Sequence, residues 1–411
     1  MAKVEYLKCV KCGREYSPID VMYCCPSCGT EGTLDVIYDY ENLRSKITRD
    51  TLKGNTEYSL WRYIDILPVD KRPECLNLQV GWTPLYKAKR LEEELGLDYL
   101  YIKDDGRNPT ASFKDRASAI GVSKAIELKK SVMCAASTGN AASSLSGFAA
   151  CAGIPTYIFV PSSAPQAKIT QLLIYGSNVI LVDGTYDEAF DLCTLAAKEF
   201  GWYNRSCGIN PYLVEGKKTV SFEIMEQLNW TLPDKIFMSV GDGCCISGAF
   251  KGFKEMLSLG LIDKLPKMIG VQAEGSNPVN RAFREGKNHF DYIKPDTIAD
   301  SISVGIPRNG LKALRALRES EGEVIDVKDT EILDAMKIMA RFTGVFGEPA
   351  GVTGFAGLRK MVAEGKIKRD EKVVLIVTGN GLKDIKSAMS SVQIPPAIKP
   401  NMNELIKLLH I

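Results

Sequence analysis

Between residues 115 and 390 the chain repeats one pattern: an apolar run, a turn rich in glycine and serine, and an amphipathic segment. This alternation indicates strands connected by helices, and it is typical of α/β layers built on mostly parallel sheets. Three turns stand out, STGN at 137–140, GDGCC at 241–245 and TGNG at 378–381. We expect them at the carboxyl ends of strands, where open α/β sheets bind ligands and where helix N-termini favour anions.

Length and composition narrow the classes of function. The 411 residues suffice for two or three domains of about 150 residues each. The 52 basic residues nearly balance the 50 acidic residues, which argues against a dedicated nucleic-acid binder. No apolar run is long enough for a transmembrane helix, and the first residues show no signal-peptide pattern. We therefore expect a cytoplasmic protein with no membrane partner.

Four of the twelve cysteines form two Cys-x-x-Cys pairs, and a glycine directly follows each pair. Such a glycine allows the tight backbone turn of a zinc knuckle. Two knuckles predict a site of four thiolates that binds one structural Zn²⁺, in a zinc ribbon over residues 1–38. The alternative is a ribbon that folds without metal. Because Cys24 lies beside the second pair but has the wrong spacing, the predicted ligands are Cys9, Cys12, Cys25 and Cys28.

Because the chain contains only two histidines, lysine is the residue that we expect to transfer protons if the protein is an enzyme. Only His289 and His410 are present, which argues against a histidine-based catalytic triad or a histidine-rich metal centre. Lys114 lies in the segment NPTASFKDR, between a strand-like run and a helix-like segment. A helix N-terminus and partial burial both favour the neutral amine that Schiff-base chemistry needs. Taken alone, Lys114 also fits an ordinary surface lysine in a capping segment.

The order and spacing of NPTASFKDR, STGN, GDG and TGNGLKD resemble those of pyridoxal-phosphate (PLP) enzymes built like the tryptophan synthase β subunit. Within that class, GWTPL at 81–85, FKDR at 113–116 and NPYLVEGKKT at 210–219 resemble the threonine synthase family, some members of which carry a four-cysteine ribbon. The resemblance covers roughly residues 75–390. It implies a two-lobed α/β enzyme of fold type II with the cofactor between the lobes.

The resemblance also implies how the chain would hold pyridoxal 5′-phosphate. Lys114 would bond to the cofactor aldehyde and later carry protons, and Phe113 would pack beside the ring. Asn140 would hydrogen-bond the phenolic oxygen, and Thr378 would face the pyridine nitrogen. Because a hydroxyl group does not force that nitrogen to be protonated, elimination and replacement are favoured over transamination. The turn for the cofactor phosphate would be Gly241, Asp242, Gly243, Cys244 and Cys245.

The substrate side of the implied site departs from the family pattern. Ser137 and Thr138 would bind the carboxylate of an amino-acid substrate. Threonine synthases often carry an arginine after NPY, where this chain has Leu213, and a leucine cannot replace a guanidinium as a phosphate ligand. The residues that could supply the positive charge instead are Lys217, Lys218 and Arg205.

The leading hypothesis is conversion of O-phospho-L-homoserine and water to L-threonine and phosphate. The alternatives are β-replacement on O-phospho-L-serine, giving cysteate or cysteine, and elimination of ammonia from threonine or serine. A ligand-sensing protein whose ribbon binds nucleic acid agrees less well with the intact motifs. Glu348 is also open to two interpretations, either a residue near the cofactor ring or an acid at a helix start before Pro349.

The predicted organisation has two lobes and two extensions. The resemblance implies a homodimer that acts on a small phosphorylated amino acid, and the smaller lobe would close over this substrate and exclude water. The predicted parts are a connector at 39–75, a large PLP-binding lobe at 76–105 plus 205–390, a small lobe at 106–204 and a C-terminal arm at 391–411.

Overall fold

A computed structural model describes residues 4–164 and 166–409. The first three residues of the predicted ribbon and the last two of the predicted C-terminal arm lie outside the described residues. The described strands form three separate sheets. In chain order they are β1 (Val4–Cys9), β2 (Glu15–Tyr16), β3 (Leu34–Tyr38), β4 (Leu85–Lys87), β5 (Tyr99–Asp104), β6 (Met133–Ala136), β7 (Thr156–Pro161), β8 (Asn178–Val182), β9 (Tyr203–Asn204), β10 (Lys235–Ser239), β11 (Lys267–Ala273), β12 (Glu323–Val327) and β13 (Lys372–Val377).

Helices connect most of these strands, as the alternation of apolar runs and amphipathic segments predicts. Short 3₁₀ helices cover Gly29–Glu31, Leu60–Ile66, Asp105–Arg107, Asp300–Ile302 and Gly381–Asp384. The α-helices are α1 (Tyr40–Arg44), α2 (Arg49–Lys53), α3 (Lys89–Leu95), α4 (Lys114–Glu127), α5 (Asn140–Ala152), α6 (Gln166–Ile174), α7 (Tyr186–Glu199), α8 (Leu213–Lys217), α9 (Thr219–Gln227), α10 (Cys244–Ser258), α11 (Pro278–Arg284), α12 (Gly310–Glu319), α13 (Asp329–Thr343), α14 (Pro349–Ala363), α15 (Ile385–Ser390) and α16 (Met402–Leu409).

The larger sheet has the strand order β12-β11-β10-β13-β5-β4. Its strands are parallel except for the antiparallel pair of β4 and β5. Consecutive residues of β10 and β13 are buried, so both faces of the sheet are covered, which explains their continuous apolar sequences. Because β10 and β13 are neighbours, the turns at 241–245 and 378–381 follow adjacent strands at the same edge.

The smaller sheet has the order β8-β7-β6-β9 and is parallel throughout. Strand β6 is fully buried, and its carboxyl end leads through the STGN turn into α5. Helix α5 packs on α4, and α4 packs on α8, which follows the NPY motif. The two parallel sheets agree with the predicted two-lobed α/β fold, whereas the predicted boundaries between the lobes remain predictions.

The N-terminal strands form an antiparallel sheet in the order β2-β1-β3. Its edge strand β3 packs against the helices of the larger α/β part rather than facing solvent. The amine of Lys312 donates to the carbonyl of Leu34 at 2.6 Å, and the amine of Lys251 donates to the carbonyl of Val36 at 2.6 Å. These contacts satisfy backbone acceptors that an exposed edge strand would leave open.

Within residues 4–164 and 166–409, no helix has the length and apolar character needed to cross a bilayer.

Candidate active site and metal centre

The sulfur atoms of the four predicted zinc ligands converge, with all four lying within 4.8 Å of one another. Gly13 and Gly29 have φ angles of 72° and 59°, the left-handed conformation that a knuckle turn requires. The Cys24 thiol points elsewhere, since its sulfur lies 3.8 Å from the carbonyl oxygen of Ile209. The cluster therefore offers a tetrahedral cation four sulfur ligands, and these are Cys9, Cys12, Cys25 and Cys28.

Lys114 is the first residue of α4. Hydrogen bonds connect the loop before it to α4 and to the turn after β13. The Asp115 carboxylate accepts the backbone N–H of Thr110 at 2.6 Å as well as its hydroxyl group, which closes the loop onto the helix start. The backbone N–H of Phe113 donates to the carbonyl oxygen of Thr378 at 2.9 Å. The structure thus joins the lysine motif to the turn after β13, as the predicted cofactor site requires.

Arg116 anchors the same helix start through a fully buried ion cluster. Its guanidinium donates to Asp105 at 2.6 and 2.9 Å and to Glu223 at 2.5 and 2.8 Å. The Lys103 amine lies 2.7 Å from Glu223. Burial opposes the ionised carboxylate, but Arg116 and Lys103 hold the pKa of Glu223 at about 2. The two acidic and two basic side chains therefore form a buried cluster without net charge next to the start of α4.

The Lys114 amine points toward the turn between β10 and α10. Its nitrogen lies 3.4 Å from the Cys245 sulfur atom. Gly243 caps α10 with a φ of 88°, and a Cβ atom there would lie 2.7 Å from the Ala313 Cβ and 2.9 Å from the Asn309 carbonyl oxygen. Only glycine fits this position, and the free N–H groups of the helix start form an anion cradle beside the lysine.

The rest of the turn is held from the segment before α12. A Cβ atom on Gly241 would lie 2.9 Å from the Ile302 Cα. Asp242 accepts the backbone N–H of Asn309 at 2.9 Å through its carbonyl and the backbone N–H of Arg308 at 3.1 Å through its carboxylate. The amide side chain of Asn309 is buried, and neither its nitrogen nor its oxygen has a hydrogen-bond partner in the described structure. This amide therefore lacks the hydrogen bonds that a buried polar side chain normally makes.

The STGN turn approaches the same region from the smaller sheet. Ser137 and Thr138 are half-buried, and the Ser137 hydroxyl accepts the backbone N–H of Gly139 at 3.2 Å. Asn140 begins α5, and its side-chain amide donates to Glu348 at 2.6 Å. The structure therefore brings Asn140 into contact with Glu348 beside the larger sheet, whereas Ser137 and Thr138 lie in the turn before α5.

Glu348 has the position of an acid at a helix start, whereas its nearness to the cofactor ring stays a prediction. It is the N-cap residue of α14, directly before Pro349, and it also contacts Asn140. A Cβ atom on Gly379 would lie 2.3 Å from its carboxylate, so the TGNG turn passes directly over it. Burial raises the pKa of Glu348 to about 7, although the charges of Lys383 and Lys114 oppose the shift.

A cleft of about 420 Å³ opens at this junction. Thr138, Asn140, Glu348 and Lys383 line it, but Lys114 and the turn at 241–245 do not. The predicted residues therefore fall into two groups, one at the cleft and one at the turn before α10. The Lys114 amine belongs to the second group, because it lies 3.4 Å from the Cys245 sulfur atom.

Comparison with known proteins assigns the family. The family "Pyridoxal-phosphate dependent enzyme" matches residues 76–379. A threonine synthase from Methanocaldococcus jannaschii is 43% identical over 98% of both chains, and one from Methanosarcina acetivorans is 43% identical over 97% of both. The chain belongs to the threonine synthase family. A more distant member, from Mycobacterium tuberculosis, is 37% identical over 82% of this chain and 91% of its own.

Solved structures of PLP enzymes share the fold. Threonine deaminase isoform 2 from Solanum lycopersicum superposes with a TM-score of 0.64 at 24% identity, covering 76% of this chain and 88% of its own. Diaminopropionate ammonia lyase from Escherichia coli gives a TM-score of 0.66 at 20% identity, covering 75% and 87%. At these identities the likeness concerns the fold alone, and it confirms the predicted α/β architecture.

The residues present fit the cofactor of this family. An aldehyde needs an amine, and Lys114 offers one beside the glycine turn. A phosphate group needs N–H donors, and the start of α10 offers them where Gly243 leaves no room for a side chain. The buried hydroxyl of Ser112, next to the Thr378 turn, has no partner in the described residues, like the Asn309 amide. The individual roles predicted for these residues remain predictions.

Proposed function

We propose that this PLP-dependent lyase is a threonine synthase that converts O-phospho-L-homoserine and water to L-threonine and phosphate. The observation that carries the assignment is 43% identity to a threonine synthase over nearly the full length of both chains. The 3.4 Å approach of the Lys114 amine to the turn before α10 supports it, because a lysine and a phosphate cradle are the two parts that the cofactor needs. Bound PLP supplies the electron sink for the elimination and the addition of water.

The chain's own residues would orient the reactants and move protons. The Lys114 amine would carry the proton that leaves the substrate α carbon. Glu348 holds the Asn140 amide at 2.6 Å, which would fix that amide toward the phenolic oxygen of the cofactor. Ser137, Thr138 and the N-terminus of α5 would bind the substrate carboxylate, because a helix start favours an anion.

The decisive experiment offers candidate substrates to the purified holoenzyme one at a time. O-phosphohomoserine should yield threonine and phosphate in equal amounts, and a folded Lys114→Ala variant should yield neither. O-phosphoserine with sulfide or sulfite, and threonine or serine alone, serve as the competing substrates. Phosphate release from O-phosphoserine alone would assign β-replacement instead, and ammonia release from threonine alone would assign a deaminase.

We also propose that the four-cysteine ribbon binds one structural Zn²⁺, that the chain forms a homodimer and that it acts in the cytoplasm. The convergence of four sulfur atoms within 4.8 Å supports the zinc site. Resemblance to the family supports the dimer. The predicted lobes, 76–105 plus 205–390 and 106–204, would close on each other over the cofactor and exclude bulk water from the reacting atoms.

A further inference from the structure

Leu213 occupies the position where related enzymes often carry an arginine, so this position supplies no positive charge to the site. Leu213 is fully buried, and its side chain lies 2.7 Å from the point that a Cβ on Gly121 would occupy. The side chain therefore fills the contact between α8 and α4. A phosphate group bound beside Lys114 must obtain its cationic partners from other residues.

Lys218 does not supply that charge. Its buried amine lies 2.7 Å from the carboxylates of both Glu215 and Glu255. The two acids already compensate the ammonium group, so Lys218 belongs to the framework that packs α8 and α9 against α10.

Lys217 and Arg205 differ from Lys218 because neither has a carboxylate partner within 4.0 Å in the described structure. Lys217 is fully buried, and its amine lies 3.2 Å from the Cys207 sulfur. Burial works against the charge, but the neighbouring thiols, Cys207 foremost, raise the pKa of Lys217, so the amine is protonated. Arg205 is 1% exposed and donates to the Ser118 hydroxyl at 3.1 Å. Two buried cations that share one thiol and have no carboxylate are costly unless a further anion joins them.

Both cations face the reacting end of the site. Arg205 donates to the carbonyl oxygen of Lys114 at 3.1 Å, and its other nitrogen lies 3.7 Å from the Cys207 sulfur. A Cβ atom on Gly216 would lie 1.9 Å from the carbonyl oxygen of Arg116, so α8 packs tightly against the helix that starts at Lys114. On its other side, α8 contacts the first turns of α10.

The pKa of the Cys207 thiol reflects the positive charge of the two cations beside it. A hydrogen bond from Cys244 and the charges of Lys217, Arg205 and Lys114 hold the pKa of the Cys207 thiol well below its usual value, although burial opposes the shift. Because two cations face one thiolate, the pair keeps a net positive charge that favours a further anion.

We propose that Lys217 and Arg205, on either side of Cys207, bind the phosphate group of the phosphorylated amino-acid substrate. This inference rests on the proposed function and identifies the cations that take the place of the missing arginine. When the bond between the γ carbon and oxygen breaks, its electron pair stays on the phosphate oxygen, and both cations stabilise the departing phosphate. The cofactor also carries a phosphate group, but the backbone N–H groups at the start of α10 offer that group a site without side-chain cations.

Lys217→Met tests the inference in the holoenzyme, since it removes the charge and keeps the buried volume. A charge-assisted hydrogen bond corresponds to roughly a 10- to 100-fold change in affinity, so KM for O-phosphohomoserine should rise by that factor. Lys217→Arg should recover most of the loss, and the cofactor absorbance should not change. Lys254→Met, at a lysine 49% exposed on α10, is the matched control and should keep the wild-type KM.

Inorganic phosphate separates this inference from the proposed function. Phosphate should inhibit the wild-type holoenzyme competitively and raise its melting temperature, and Lys217→Met should lose both effects. Phosphate binding that depends on Lys217, in an enzyme that makes no threonine, would overturn the proposed function and leave the phosphate site standing. An active Lys217→Met enzyme with wild-type KM and wild-type phosphate inhibition would overturn the site.

Loss of cofactor affinity in Lys217→Met, without a change in KM, would also overturn the inference, because the cations would then serve the cofactor phosphate. If Lys217→Met does not fold, Arg205→Gln is measured in the same way and carries the same expectations.

Discussion

The buried ion cluster below Lys114 predicts a large loss of stability for one substitution. Arg116→Met removes one of two cations from a group that otherwise contains Lys103, Asp105 and Glu223, all buried. The remaining three side chains would carry a net charge of −1 without access to water. Removal of one partner from a buried ion pair costs about 3–5 kcal/mol. We expect a loss in this range, since Arg116 contacts both acids.

Arg369→Met is the matched control for this substitution. Arg369 also pairs with a carboxylate, that of Asp98 at 3.0 Å, but its side chain is 78% exposed. Exposed ion pairs contribute about 0–1 kcal/mol, so this variant should lie within about 1 kcal/mol of the wild type. Urea denaturation of both holoenzymes, followed by far-UV circular dichroism, gives the two free energies of unfolding.

A third variant tests the electrostatic cause directly. Asp105→Asn added to Arg116→Met restores the neutrality of the cluster, so it should recover part of the lost stability. If the two methionine variants lose equal stability, or if the asparagine makes the loss larger, an uncompensated buried charge is not the reason for the effect.

Two further predictions concern Glu348 and the ribbon. Because burial raises the pKa of Glu348 from 4.5 to about 7, the stabilisation from its bound proton is complete below about pH 4.5 and is lost as the pH rises through 7. Glu348→Gln, which keeps an acceptor for Asn140, should flatten that part of the profile in melts at about pH 5 and pH 8; an unchanged slope would exclude this carboxyl as the cause. The Cys9→Ser, Cys12→Ser double variant should lose about one zinc per chain in metal analysis, whereas Cys24→Ser should keep it; retention of zinc by the double variant would contradict the assigned ligands.

Local sequence patterns were sufficient to predict the parts of the site that depend on short spacing. The Cys-x-x-Cys pairs are each closed by a single turn, and Gly13 has the predicted left-handed conformation. The glycine turns follow strands, and Gly243 caps a helix, because these features depend on a few consecutive residues. The order of strands in the larger sheet could not be predicted from local patterns, because β10 and β13 pair across more than one hundred residues of sequence.

Partners that come from distant segments could not be predicted in the same way. Arg116 is visible in the sequence as the last residue of the FKDR motif, but its acids come from the 3₁₀ helix directly after β5 and from α9. The two interpretations of Glu348 could not be separated either, because its contact with Asn140 crosses from the larger sheet to the smaller. Spacing along the chain carries no information about contacts of this kind.

Lys217 and Lys218 show why the phosphate site needed the structure. Neighbouring residues on a helix point about 100° apart, so two adjacent lysines face different surroundings. Lys218 meets Glu215 and Glu255, and the second of these comes from another helix. Lys217 meets Cys207 and no acid in the described residues. A sequence that reads Lys-Lys cannot distinguish a lysine paired with carboxylates from one that shares a single thiolate with a second cation, and only the second arrangement keeps positive charge for a further anion.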